Sequence, residues 1–274
     1  MINMKKKLCF LFLIQSCIHN EEIWNLFFKL IHKDFYDIII HHKPDCKLKY
    51  FNKYKLNHKC ITTSWGDKSL VEAVNIMLKK GYSDKNNSHF ILVSDSDIPL
   101  NNFEYIYNFL QNDFSYFSYQ TEYIKKNHYL NNFFHNNIYK KSSQWCILNR
   151  KHTNIILNHS NFISLFSEIK YPDERVYINT LYKNNLLDEV KNIKTTFCDW
   201  STKGSHPKTF YYIHEKFLIN LINGDYLFGR KFKNTRIITK RSYIKNNTFN
   251  LLDYKPYLNI ILSKKKKKKK KKIK

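Results

Sequence analysis

Apolar residues group along this chain in two rhythms, and the alternation between them predicts the architecture. Short runs rich in apolar and β-branched residues, Leu8 to Leu13, Asp37 to His41, Cys60 to Thr63 and Phe90 to Val93, read as buried strands. Between them Glu22 to Ile31 and Leu70 to Leu78 repeat apolar residues at helical spacing, the second after a cap at Ser69. Asn102 to Leu110, opened by Pro99, gives another amphipathic helix. Beyond it, Asn127 to Lys141 keeps neither period and reads as a loop over one face; Ser143 to Leu148 reads as a strand and Lys151 to Leu157 as a helix. A helix is expected from about Asp173 to Tyr182, with Glu174 in its first turn, and a short one at Phe217 to Ile222, stopped by Gly224. Strands alternating with helices predict an α/β fold with a mostly parallel sheet covered by helices.

Such sheets present ligands at the carboxyl ends of their strands, which marks His41-His42, Ser64-Trp65-Gly66 and Asp95-Ser-Asp97. Residues 1–250 are expected to form one domain, and 251–274 an extension. The 274 residues carry a formal charge of +25, but Lys264 to Lys272 and Lys274 supply ten of those charges, leaving +15 for the rest. A nine-lysine run repels itself and is expected to be disordered, either as a product of adenine-rich coding or as a tether to a polyanion or an anionic membrane. Six cysteines without CxxC spacing indicate neither a zinc site nor a disulfide framework. The apolar stretch after Lys5-Lys-Lys7 falls far short of the roughly 20 residues that span a bilayer. It is expected to be the first strand, and the protein to work in the cytoplasm or on a membrane face.

Five glycines leave no glycine-rich phosphate loop, so a phosphorylated ligand would have to be neutralised by side-chain cations. Asp95 and Asp97 admit two readings. They could hold Mg²⁺ or Mn²⁺ against a diphosphate, or Asp97 could cap the following segment while Asp95 contacts hydroxyls without metal. Glu174, Lys208, Lys231, Trp145 and Trp200 taken singly are ordinary helix, surface and core residues.

In their order and spacing the motifs resemble the core-2/I-branching enzyme family of inverting glycosyltransferases. The resemblance runs through Trp65-Gly-Asp-Lys-Ser-Leu-Val-Glu-Ala73, Phe90-Ile-Leu-Val-Ser-Asp-Ser-Asp-Ile-Pro-Leu100, Ser143-Gln-Trp145 and Pro172-Asp-Glu174. It continues through Cys198-Asp-Trp-Ser201, Gly204-Ser-His-Pro-Lys-Thr-Phe210 and Leu227-Phe-Gly-Arg-Lys-Phe232. It implies a glycosyltransferase A-type fold, a UDP-sugar donor, usually of N-acetylglucosamine or xylose, and a glycan acceptor. It also implies Glu174 as general base, and cations at Lys208 and Lys231, helped by Arg230, on the leaving diphosphate. Lys208 stands where the family spacing places Arg, and so lacks the bidentate fork for phosphate. His41 and Trp65 are expected near the nucleotide; Asp95, Asp97, Trp145, Asp173 and Trp200 are expected to shape the sugar sites.

On this reading no metal or other cofactor is required, Mn²⁺ or Mg²⁺ entering only if Asp95 and Asp97 bind it. No specific nucleic-acid partner is expected. Animal members are Golgi membrane proteins, a localisation that is not carried over. A metal-dependent transferase and a basic polyanion-binding protein on a degenerate transferase fold remain as alternatives.

Overall fold

The apolar run at the start of the chain becomes the strand around which the largest sheet is built. The structure, a computed structural model, describes residues 6–126, 128–159, 161–202, 204–239 and 249–262. In chain order the elements through the middle are β1 (Lys7–Leu13), α1 (Glu21–Lys29), β2 (Tyr36–His41), α2 (Ser69–Tyr82), β3 (Asn87–Ser94), β4 (Ile98–Pro99), α3 (Phe103–Phe109), β5 (Ser115–Phe117), β6 (Tyr119–Tyr123) and β7 (Ile138–Ser142). There follow β8 (Ile147–Asn149), α4 (Arg150–Asn158), α5 (Phe162–Leu165), α6 (Val176–Lys183), β9 (Val190–Asn192), β10 (Thr196–Cys198), β11 (Phe210–His214), α7 (Glu215–Asn223), β12 (Phe228–Arg230), β13 (Phe232–Ile238), β14 (Phe249–Asn250) and α8 (Lys255–Leu262).

The chain divides into two compact units. The first comprises Met1–Ile18, His32–Asp95 and Asp113–Thr195. Its sheet has the order β2-β1-β3-β8-β5-β9, and only β8 runs against the other five strands. This is the α/β, mostly parallel sheet that the alternation of patterns predicts. One face of β1, with Cys9 and Leu11, packs into a core with Val71, Val74, Met77 and Leu78 of α2, Ile156 of α4 and Val176, Tyr177, Ile178 and Leu181 of α6. Leu8, Phe10 and Phe12 on the opposite face are equally buried, which is why the strand is apolar at every position from Leu8 to Leu13.

The second unit comprises His19–Ile31, Ser96–Asn112 and Thr196–Lys274. Two three-stranded sheets, β10-β12-β4 and β11-β13-β14, form its frame. Trp24 of α1 stacks on Phe228 with ring centroids 6.0 Å apart, and its indole N–H donates to the Asp97 carbonyl at 2.9 Å. A buried tryptophan needs such an acceptor, since an unmade hydrogen bond in the core is costly.

Several boundaries differ from the sequence expectation. Cys60 to Thr63 is not a strand, because His41 Nε2 accepts the Ile61 N–H at 3.0 Å and so satisfies it away from any ladder. Residues 138–141, expected as loop, form β7 together with Ser142 and pair antiparallel with β6; the hairpin is mostly half-buried or exposed, so no apolar alternation announces it. Strand β8 starts only at Ile147, since the Ser143 hydroxyl takes the Trp145 N–H into a local turn. Ser69 is the first helical residue of α2 rather than its cap; its own N–H is received by Asp67 Oδ1. The α3 helix is opened by Asn102, which accepts the Tyr105 N–H at 2.7 Å, while Pro99 lies in β4. Gly224 does end α7. The polylysine run lies outside the described residues, and among those described no helix is long and apolar enough to cross a membrane.

Candidate active site

Glu174 does not lie in the first turn of α6. Pro172–Glu174 form a separate 3-10 turn, and Arg175, at φ −128°, interrupts the chain before the helix begins at Val176. Arg175 is held there by its own side chain, whose Nη1 donates to the carbonyls of Lys170 at 3.0 Å and Tyr171 at 3.1 Å.

The β6–β7 hairpin supplies the neighbours of Glu174. Tyr139 and Lys141 are two residues apart on β7 and therefore share a face, and Glu122 is the cross-strand partner of Tyr139 on that same face. Lys141 Nζ lies 3.4 Å from Glu174 Oε2 and 4.0 Å from Glu122 Oε1. Glu122 Oε2 accepts from the Tyr139 hydroxyl at 2.7 Å and pairs with Arg175 Nη2 at 3.2 Å. Charges thus alternate from Glu174 through Lys141 and Glu122 to Arg175. Partial burial opposes ionisation of Glu122, but the Tyr139 hydroxyl and the Arg175 and Lys141 charges outweigh it and hold the carboxyl below its ordinary value. Asn179 of α6 fastens the hairpin to this segment: it accepts the Lys140 N–H at 2.8 Å and donates to the Lys140 carbonyl at 2.6 Å.

The Glu174 side chain keeps 27% of its surface exposed, so a reactant can reach it. Asp173 beside it turns inward, with Oδ1 buried and without a hydrogen-bond partner. Burial, and secondly the Glu174 charge, push its carboxyl up to about 6. Trp65 is 55% exposed and meets Tyr171 edge-on, with centroids 4.9 Å apart. Trp145 is half-buried against the core, and Asp95 is half-buried in the turn after β3. His41 is buried at the end of β2, and desolvation, with the neighbouring His42, lowers it to about 4, which fits its role as acceptor of the Ile61 N–H.

In the second unit Asp97 is fully buried, and its carboxylate lies 3.4 Å from Arg230 Nε. The next residue, Lys231, sits between β12 and β13 and is fixed by its backbone. Its carbonyl accepts the Phe210 N–H at 2.7 Å, and the Phe232 N–H donates to the Ser96 carbonyl at 2.8 Å. Lys208 is exposed, with Nζ 5.5 Å from the centroid of the Phe210 ring, so Phe210 links the two lysines. Trp200 is exposed. Among the described residues no group of three or more His, Cys, Asp and Glu is placed to hold a metal ion.

Sequence reasoning singled out Glu174 and Asp173 but missed Glu122, Tyr139, Lys141, Asn179 and Tyr171. All but Tyr171 and Asn179 come from the β6–β7 hairpin; the single charge of Gln120-Thr-Glu122 and the adjacent charges of Tyr139-Lys-Lys141 are too common a pattern in this lysine-rich chain to signal it.

The Core-2/I-Branching enzyme family matches residues 8–223, a span that contains Glu174 and Lys208 and stops before Arg230 and Lys231. A curated relative, glycosyltransferase BC10 from Oryza sativa subsp. japonica, is 26% identical over 172 residues, covering 59% of this chain and 43% of that protein. The chain therefore spans less than half the length of that relative. A solved structure of a glycosyltransferase involved in the glycosylation of the major capsid of PBCV-1 is 10% identical, with a TM-score of 0.37, over 81% of this chain and 92% of the other.

Proposed function

Because the chain belongs to the Core-2/I-Branching enzyme family, we propose that it is an inverting glycosyltransferase that moves a sugar from a UDP-sugar to a hydroxyl of a glycan. N-acetylglucosamine is the first candidate sugar and xylose the second. The reaction is one in-line displacement. The acceptor oxygen attacks the anomeric carbon, the bond from that carbon to the diphosphate oxygen breaks, and the acceptor proton passes to the Glu174 carboxylate. Negative charge gathers on the departing UDP, and Lys208 and Lys231 supply the positive charge it needs, Arg230 beside Lys231 being paired with Asp97. A glycan acceptor is met by the exposed Trp200, whose flat face suits a sugar ring.

The observation that carries this reading is Glu174 itself: a carboxylate within the family match, partly exposed, on a turn held by Arg175 and faced by Lys141. Catalysis without metal is part of the proposal, supported by Asp97 already having Arg230 as its counter-charge.

The test is release of UDP from a panel of UDP-sugars by wild type and Glu174→Gln, in EDTA and in Mn²⁺. Turnover in EDTA that Glu174→Gln lowers by ~10² to 10⁴, with UDP binding retained, is the expected result. Turnover only with Mn²⁺ would move the phosphate site to Asp95 and Asp97. Absence of both turnover and UDP binding by calorimetry would favour a polyanion-binding protein.

A further inference from the structure

We propose that Gly66 and Tyr171 act as a clasp that aims Glu174, which makes them positioning residues for the general base; the inference rests on the role of Glu174 given above. Tyr171 has φ 62° and ψ 58°, in the left-handed region. That conformation is uncommon for a bulky L-residue, and doubly so before a proline, whose ring drives its predecessor towards extended backbone. Such a residue persists only where its surroundings over-determine it.

Here the surroundings are explicit. The Tyr171 N–H donates to the Gly66 carbonyl at 3.0 Å. The Tyr171 carbonyl accepts the Glu174 N–H at 3.2 Å and Arg175 Nη1 at 3.1 Å. Its ring lies edge-on to Trp65 and against Gly66, where a Cβ would come 2.9 Å from Tyr171 Cε1. Gly66 itself has φ +72°, so glycine answers two demands there, the backbone conformation and the space for the ring. One hydrogen bond therefore ties Tyr171 to the 65–66 turn, and two others tie it to the residues that carry and brace the base.

Pro172 cannot absorb a change in this arrangement, because its φ is locked. A shift of Tyr171 towards ordinary extended backbone redirects the chain that follows and turns Glu174 with it. Neither Gly66 nor Tyr171 has to touch a reactant for this to alter the rate. The Trp65-Gly66 pair, 108 residues before Glu174, thereby acquires a role in the direction of the base.

The experiment measures UDP release from the donor selected by the panel above, and UDP binding by calorimetry, for wild type, Gly66→Ala, Tyr171→Gly, the Gly66→Ala/Tyr171→Gly double variant and Glu174→Gln. Gly66→Ala is expected to lower kcat by ~10- to 100-fold, a typical cost of misplacing a reacting group by about 1 Å. Its KM for donor and its UDP affinity are expected to stay at the wild-type values. Tyr171→Gly keeps the left-handed backbone while removing the ring, so the double variant is expected to recover most of the kcat lost in Gly66→Ala.

Wild-type kcat in Gly66→Ala, or no recovery in the double variant, overturns the clasp while leaving Glu174 as base. If Glu174→Gln turns over like wild type, or wild type neither turns over nor binds UDP, the reading of Glu174 fails and the clasp falls with it. Should Gly66→Ala not fold, Tyr171→Val carries the same kcat expectation, since a β-branched residue resists the left-handed region. Failure of both to fold assigns the contact to stability alone and overturns the proposal.

Discussion

Two ion-paired carboxylates, Glu174 in the first unit and Asp97 in the second, differ in burial, and on the proposed reading that difference separates chemistry from support. Each faces a cation at 3.4 Å, Lys141 in one case and Arg230 in the other. The Asp97 side chain has no exposed surface and its pair with Arg230 lies among the strands of its unit, whereas Glu174 retains about a quarter of its surface. A buried charge is tied to its partner, because separating the two leaves an uncompensated ion away from water. A carboxylate at the surface can exchange a cation contact for a reactant at small cost. On the proposed reading a carboxylate in the same kind of pair thus serves two ends, and exposure decides between them.

Four measurements would break or sharpen this contrast. The largest effect is expected from Glu174→Gln, a loss of ~10² to 10⁴ in rate with an unchanged melting temperature. A Glu174→Gln enzyme that melts many degrees lower would place Glu174 with Asp97 as a support. Asp97→Asn is expected to act first on stability, at about 3–5 kcal/mol in denaturant unfolding, the usual cost of removing one partner of a buried pair. A change below about 1 kcal/mol would mean that the pair behaves as a surface bridge.

Asp173 supplies a pH-dependent test. Its folded-state value of about 6 lies above the ordinary 3.8, so between these pH values the folded protein holds a proton that the unfolded chain has released. Stability is therefore expected to fall as pH rises through that window, by on the order of 1–3 kcal/mol. Unfolding midpoints in urea from pH 4 to pH 7 should show this slope, and Asp173→Asn should flatten it; an unchanged slope in the variant would remove Asp173 as its source. The smallest effect is expected for Lys141→Met, under about 1 kcal/mol in stability, because both partners of its pair are partly solvated. A larger loss would show the alternating charges of Glu174, Lys141, Glu122 and Arg175 to be one coupled unit.

The elements that were legible in the sequence are those whose side chains are sorted by a single demand. Strands β1, β2 and β3 are buried on both faces, so their apolar runs announce them. Helices α1, α2 and α7 bury one stripe, so they repeat at helical spacing. The β6–β7 hairpin meets no such demand: its five paired positions are largely half-buried, and its pattern is decided by charges that pair with Arg175 and Glu174. The break at Arg175 was equally hidden, since Val176 to Lys183 continues the helical pattern while the guanidinium hydrogen bonds that interrupt it reach back to Lys170 and Tyr171.

The sequence alone therefore determined the α/β class, the central strands and the position of Pro172-Asp-Glu174 along the chain, because hydrophobic periodicity and proline act locally. Tertiary structure decided what surrounds Glu174. Lys141 is 33 residues away and Gly66 is 108, and which of many lysines and glycines comes near is settled by strand register and by a left-handed tyrosine. Contacts of that kind depend on how distant segments pack, and no window of the chain contains both partners.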